Sequence, residues 1–157
     1  MGNRTTQVNI FLLDYDIKTC AQYHFDSHVV KMVTESTQIL STVCRLNGQD
    51  VGYKVTHANH PCVKWAGESL LNWMWLKHLT SELNEEWKYR YEHTRDHKAF
   101  EVCNTLPMPN IPNIGLTSVA LATNGIDLGN AIESYRAYYR TKDHLAKWTK
   151  RSKPEWF

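Results

Sequence analysis

Apolar residues recur along most of the chain at the three- and four-residue spacing that is typical of amphipathic helices. The pattern is clearest over residues 28–46, after which Asn47 and Gly48 supply a helix-stop signal. Pro61 opens a further stretch in the first helical position, which proline favours. We therefore predict helices over residues 16–25, 28–46, 61–79 and 81–103, and a last helix that starts at Asp127 or Asn130. The high charge of residues 81–103 predicts a surface position for that helix.

The remaining segments are predicted to be extended. Residues 8–14 form an apolar run ending in Asp14, which predicts either a buried strand or an extended lead-in. Residues 107–115 contain three prolines and predict an internal linker, and residues 149–157 form a basic tail that ends in aromatic residues. Together these patterns predict a mainly α-helical fold, a compact single-domain bundle over residues 1–157 with at most one short N-terminal strand.

The bulk composition is that of a folded, soluble domain. The chain has 157 residues, of which 42% are hydrophobic and 22% charged, and this argues against wholesale disorder. A net charge of +2 does not by itself indicate a nucleic-acid binder, although it leaves local basic patches open. The cysteines form no CxxC pair, which predicts reduced thiols in the cytoplasm. No run of about 18 apolar residues occurs, so no membrane partner is predicted.

One face of the predicted helix over residues 28–46 is polar where a packed helix is usually apolar. His28, Lys31, Glu35 and Gln38 follow one another at steps of three and four residues, and His24 precedes them by four. Side chains at this spacing share a helix face. The series therefore predicts a polar stripe that lines a site, in which Lys31 neutralises a phosphate. The alternative is an ordinary solvated face with a Lys31–Glu35 ion pair.

Three residues at the start of this stripe are candidates for acid–base chemistry. A carboxylate beside an imidazole fixes its tautomer and stabilises its charged form, so His24, Asp26 and His28 are predicted to transfer protons. The spacing of His24 and His28 would also let two imidazoles reach one divalent metal ion. We do not favour a metal site, because the chain lacks an HExxH motif, and no cofactor is predicted.

The sequence THANHP, residues 56–61, concentrates hydrogen-bonding groups just before a helix. The free N–H groups of that first turn and its dipole favour an anion, and Thr56, His57, Asn59 and His60 would add side-chain donors. This predicts a phosphate site with His57 and His60 as further proton-transfer groups. A capping turn with surface histidines is the alternative.

Two further sets of residues complete the candidate site. Trp65, Ser69 and Asn72 repeat the four-then-three spacing and predict a second polar stripe that faces the first. Arg136 and Arg140 alternate with tyrosines in the last helix, an arrangement that suits phosphates and bases. Arginine stems packed on tyrosine rings at the edge of the core are the alternative.

Several longer stretches have a familiar pattern: NIFLLDYD, AQYHFDSHVVKM, YKVTHANHPCVKW and WTKRSKPEWF. With them the chain resembles a family of small uncharacterised proteins of tailed double-stranded DNA phages, cyanophages among them. The resemblance implies a phage origin and a location in the cytoplasm of an infected bacterium, and it brings no established activity. Phe25 and Ser27 stand where that family usually has cysteine and lysine, so a role for a thiol or an amine there is not carried over.

We draw three functional hypotheses from these residues. The first is hydrolysis of a phosphate-bearing nucleotide, such as a signal of host defence, by a hydrolase or phosphodiesterase-like activity. The second is sequestration of such a nucleotide without cleavage. The third is a DNA-directed enzyme that modifies or excises a base. A small nucleotide is the predicted partner, with nucleic acid and a second copy of the chain left open.

The predicted site is expected to converge on one pocket. Its catalytic members are His24, Asp26, His28, His57 and His60. Its ligand-binding members are Lys31, Glu35, Gln38, Thr56, Asn59, Trp65, Ser69, Asn72, Arg136 and Arg140.

Overall fold

A computed structural model describes residues 8–157 of the chain. Within those residues the α-helices are α1 (Ile17–Tyr23), α2 (Asp26–Leu46), α3 (Pro61–Glu68), α4 (Leu70–Tyr91), α5 (Lys98–Cys103) and α6 (Ala131–Arg140), followed by a 3-10 turn (Asp143–Leu145). No β-strand occurs in this part of the chain, which confirms the prediction of a mainly α-helical single domain. The apolar run over residues 8–14 is a buried, extended lead-in.

Local sequence signals set the ends of the first helices. Asp16 caps α1 by accepting a hydrogen bond from the Thr19 N–H, as its position predicts. The second helix begins two residues earlier than predicted, at Asp26, and ends at Leu46 before Asn47. Pro61 occupies the first turn of α3, and Asn130 caps α6 through the Glu133 N–H.

The predicted helix over residues 61–79 is interrupted at Ser69. The backbone of Ser69 is extended, with φ −151° and ψ 143°, so α3 ends at Glu68 and α4 starts afresh at Leu70. From there α4 continues without a break to Tyr91, where Glu92 adopts a left-handed conformation that closes the helix. Spacing alone did not reveal this break, because Ser69 fits the helical pattern on both sides.

The two long helices form the centre of the bundle. They pack along their length, and the buried Trp73 indole N–H donates a hydrogen bond to the Leu40 carbonyl at 3.2 Å. The predicted surface position of the charged segment is wrong for much of α4, because Leu83, Glu86 and Arg90 are buried. Glu86 and Arg90 form an ion pair at 2.9 Å inside the fold, and charged side chains tolerate burial when they are paired.

Gly52 lies where the loop after α2 crosses close to that helix. Its φ is +68°, and a Cβ added there would lie 2.3 Å from the Ser41 hydroxyl oxygen and 2.7 Å from a Leu106 methyl carbon. Gly52→Ala should therefore destabilise the protein by about 1–3 kcal/mol through overpacking and backbone strain. Urea unfolding measures this. Gly48→Ala is the matched control, since Gly48 also has a positive φ but has nothing within 4 Å. Equal losses in the two variants would show that the close approach is not the cause.

Candidate active site

Glu35 is a carboxylate held inside the fold at the middle of α2. Only 10% of its side chain is exposed, and the Lys31 ammonium nitrogen lies 3.4 Å from its Oε2 atom. Burial raises the pKa of Glu35 above its ordinary value, although Lys31 and the nearby Asn9 backbone N–H act in the opposite direction. A carboxyl group with a raised pKa is a candidate proton donor.

The start of α3 lies beside this carboxylate. Burial raises the pKa of the Cys62 thiol to about 12, and the charge of Glu35 contributes to that rise. The Cys62 thiol also lies 3.8 Å from the Asn9 side-chain oxygen. The extended lead-in, α2 and α3 thus meet around Glu35. Sequence reasoning did not select Asn9 and Cys62, because they lie on the lead-in and on α3 and approach α2 only through tertiary packing.

The THANHP segment is joined to the same region through α2 and α3. Thr42 and Thr56 exchange hydrogen bonds, with the Thr56 N–H donating to the Thr42 hydroxyl at 3.1 Å. His60 caps α3, because its Nδ1 accepts from the Cys62 N–H at 3.0 Å. This bond leaves the hydrogen of a neutral His60 on Nε2, where it is able to serve a ligand. Burial lowers the pKa of His60.

The other residues of this loop are more exposed. The Thr56 hydroxyl pairs with His57 Nδ1 at 2.7 Å, and the His57 backbone has a positive φ of 51°. Gln38 is half-buried on α2, and Asn59 is exposed. The capping turn is therefore present at His60, whereas a phosphate at this loop stays a prediction.

His24 and His28 lie in an aromatic cluster of the core. The His28 ring centroid is 4.6 Å from that of Phe11 and 4.3 Å from that of Phe25, and its Nδ1 atom is 3.1 Å from the Tyr139 hydroxyl. Burial lowers the pKa of His28 to about 2 and that of His24 to about 4. These surroundings disfavour the imidazolium form that the predicted proton-transfer role requires.

The two buried histidines predict a loss of stability in mild acid. Unfolded histidines bind a proton near pH 6.5, whereas folded His24 stays neutral down to about pH 4. The unfolded state therefore gains protons first, and stability falls as the pH drops from about 6.5 towards 4. His24→Phe should flatten the slope of the unfolding free energy against pH by up to about 1.4 kcal/mol per pH unit. Urea titrations at several pH values check this, and an unchanged slope contradicts it.

Asp26 does not pair with either histidine, contrary to prediction. One carboxylate oxygen accepts from Arg90 at 3.2 Å and from the Thr149 N–H at 2.9 Å, and the other accepts from the Thr149 hydroxyl. His24 Nδ1 instead donates to the Cys20 carbonyl at 2.7 Å. Asp26 therefore joins α2 to α4 and to the C-terminal tail. Partners 64 and 123 residues away are not evident from helical spacing.

The second polar stripe does not face the first. Trp65 donates its indole N–H to the Thr117 carbonyl at 3.1 Å, and Asn72 binds the Thr117 backbone and hydroxyl. The Ser69 hydroxyl accepts from the Ile114 N–H at 3.1 Å. These three side chains satisfy the backbone of an extended segment that lacks a helical ladder of its own.

Arg136 and Arg140 bind neighbouring segments of the chain. Arg136 donates to the Leu13 carbonyl at 2.9 Å and to the Asp14 carboxylate at 3.1 Å. Arg140 donates to the Trp156 carbonyl at 2.8 Å. Arg136 thereby fixes the lead-in, and Arg140 fixes the tail, so the predicted phosphate-binding role is not supported by these contacts.

A further cation, Lys142, lies just after the last helix, α6. Its ammonium nitrogen is 4.6 Å from the centre of the Tyr138 ring. The charges of Lys31 and Lys142 both lower the pKa of His28, after the larger effects of burial and of His24. Sequence reasoning missed Lys142, although its spacing of four from Tyr138 is a usable signal.

Residues 8–157 contain no group of three or more His, Cys, Asp and Glu side chains able to hold a metal ion. None of the helices in that range combines the length and the apolar character needed to cross a bilayer. The geometry gives a buried carboxylate with one exposed lysine, Lys31, beside it, an arrangement suited to acid–base chemistry on an anionic substrate.

Comparison with known proteins identifies a family. The sequence profile of a family described as pyrimidine dimer DNA glycosylase matches residues 8–99, more than half of the chain. No curated protein and no solved structure matches. The matched range includes α2, α3 and α4 in full.

This match corrects the leading functional hypothesis. The prediction of a nucleotide-binding hydrolase that acts on a signal of host defence is wrong, because the matched family consists of DNA glycosylases. The match favours the DNA-directed alternative, in which a base is excised, and the family implies nucleic acid as the class of partner.

Proposed function

The chain belongs to the pyrimidine dimer DNA glycosylase family, and we propose that it excises a damaged pyrimidine from DNA. The observation that carries this proposal is the family match over residues 8–99, which includes the residues that surround the buried carboxylate. A phage origin, which the resemblance of the longer sequence motifs implies, fits the repair of viral DNA in an infected cell.

The reaction requires a proton at the leaving base. When the bond between the pyrimidine and the deoxyribose breaks, the base leaves with the electron pair and the sugar carbon becomes electron-deficient. We assign Glu35 as the general acid that protonates the base oxygen next to this bond. Water then adds to the sugar carbon and gives its proton back to the Glu35 carboxylate. The raised pKa of Glu35 suits this role, because the acid form has to be accessible near neutral pH.

Positive charge near the carboxylate would hold the DNA backbone. Lys31 is assigned to a phosphate contact, and such contacts supply most of the sequence-independent affinity for DNA. His57 and His60 are assigned to phosphate binding instead of proton transfer, because the Nδ1 of His60 is already engaged in capping α3.

The test is direct base release. A duplex with a single thymine dimer is incubated with the purified full chain, and hot alkali then breaks the strand at any abasic site. We expect strand cleavage at the dimer, none in the undamaged duplex, and a rate that falls steeply with salt. Failure of the folded protein to release the base from the dimer duplex would overturn the proposal. A duplex with uracil in place of the dimer tests whether the activity is confined to dimers.

A further inference from the structure

We infer that Lys31 couples the binding of a DNA phosphate to the protonation of Glu35. This inference rests on the proposed function and concerns the same site. It assigns Lys31 a second role beside charge attraction: the lysine favours the ionised form of Glu35 in the free protein, and this effect weakens when DNA binds.

Exposure differs sharply within this ion pair. The Lys31 side chain is 58% exposed, whereas that of Glu35 is 10% exposed, and their charged atoms are 3.4 Å apart. A phosphate in solvent therefore reaches the lysine and not the carboxylate. The two residues are four apart on α2, and the flexible lysine stem lets the ammonium group turn outward without any movement of the helix.

Lys31 is the charged group near Glu35 whose position a bound phosphate is able to alter, because the other neighbours are uncharged. On the lead-in, Asn9 presents a backbone N–H, which stays in place. On α3, Cys62 presents a thiol that burial keeps protonated. Tyr135 of α6 contacts that thiol, and burial raises the pKa of its hydroxyl, so it too is uncharged. His28, two turns earlier on α2, is neutral.

Binding of a phosphate then changes the protonation equilibrium of Glu35 in two ways, and both act in the same direction. The Lys31 ammonium group pairs with the phosphate, so its attraction to the Glu35 carboxylate weakens. The phosphate also brings a negative charge close to that carboxylate. Both changes favour the protonated carboxylic acid. The general acid is thereby formed when the substrate backbone is bound, and the free protein keeps Glu35 more ionised.

The experiment measures proton uptake on DNA binding. A dimer duplex with a fluorinated sugar at the reaction site resists excision, and its binding to the full chain is followed by calorimetry in buffers of different ionisation enthalpy at about pH 6.5. We expect proton uptake by the wild-type protein and tighter binding at lower pH, up to about tenfold per pH unit for one whole proton. Glu35→Gln should bind without uptake. Lys31→Met should lose the uptake and reduce the salt dependence by about one phosphate contact.

Lys18→Met is the matched control, because Lys18 is an exposed lysine on α1 and should leave the uptake unchanged. Uptake by Lys31→Met equal to that of the wild type would overturn the inference. An absence of proton uptake by a wild-type protein that binds and excises the dimer would also overturn the inference. The proposed function would then remain valid without it. A wild-type protein that neither binds nor excises would overturn the proposed function and this inference with it.

Discussion

Glu35→Gln is expected to lower the rate of base excision by about 10²- to 10⁴-fold, the usual contribution of a positioned general acid. Glutamine fills the same volume beside Lys31 and Asn9 but has no carboxyl proton to transfer to the leaving base. The raised pKa of Glu35 also means that a neutral side chain suits this buried position, so the variant should fold. Single-turnover cleavage of the dimer duplex at saturating protein measures the chemical step separately from binding.

Glu101→Gln is the matched control for this variant. Glu101 is an exposed carboxylate on α5, and its replacement should leave the excision rate near that of the wild-type protein. Unfolding in urea should give similar midpoints for both variants and the wild type. Excision by Glu35→Gln within a few-fold of the wild-type rate would show that another group supplies the proton, and the assignment of Glu35 would be wrong.

Arg90→Met should destabilise the protein by about 3–5 kcal/mol, the cost of removing one partner of a buried ion pair. The Arg90 side chain is fully buried, and its guanidinium group contacts Glu86 at 2.9 Å and Asp26 at 3.2 Å. It also donates to the carbonyl oxygens of His24 and Gln22 at 2.6 and 2.8 Å. Methionine fills much of the space but leaves two buried carboxylates and two carbonyl groups without this donor.

Urea or thermal unfolding of the full chain measures this loss. Arg95→Met is the control, because Arg95 is exposed and lies over the Trp87 ring, 5.2 Å from its centre. Its unfolding midpoint should stay close to that of the wild type. A similar midpoint for Arg90→Met would mean that solvent replaces the lost guanidinium, and the buried network would then contribute little to stability.

The fold was largely accessible to sequence reasoning because its signals are local. Asp16 and Asn130 accept from N–H groups three residues away, Pro61 fixes its own φ at a helical value, and each marks a helix start that the structure shows. The break at Ser69 was missed because it depends on Asn113 and Ile114, which lie about 45 residues further along the chain and bind the Ser69 hydroxyl.

The candidate site was accessible only in part. His28 and Glu35 share the same stripe, yet His28 is enclosed by Phe11 and Tyr139, whereas Glu35 has an exposed lysine beside it. Helical spacing places residues on a face, but distant segments decide which parts of that face are covered. Lys31 and Glu35 were therefore predicted from spacing, and the burial of the two histidines was not.

The network around Arg90 sets a limit on how this chain can be divided. Asp26 and Glu86 lie inside the matched range over residues 8–99, but Thr149 and Arg151, which also bind them, lie beyond it. The Phe25 N–H likewise donates to the Tyr139 hydroxyl. A fragment cut after residue 99 would expose these groups, and a chimera with a foreign C-terminal third would have to supply equivalent partners. Residues 8–99 therefore do not form an independent folding unit, and residues 100–157 are needed to complete the buried network.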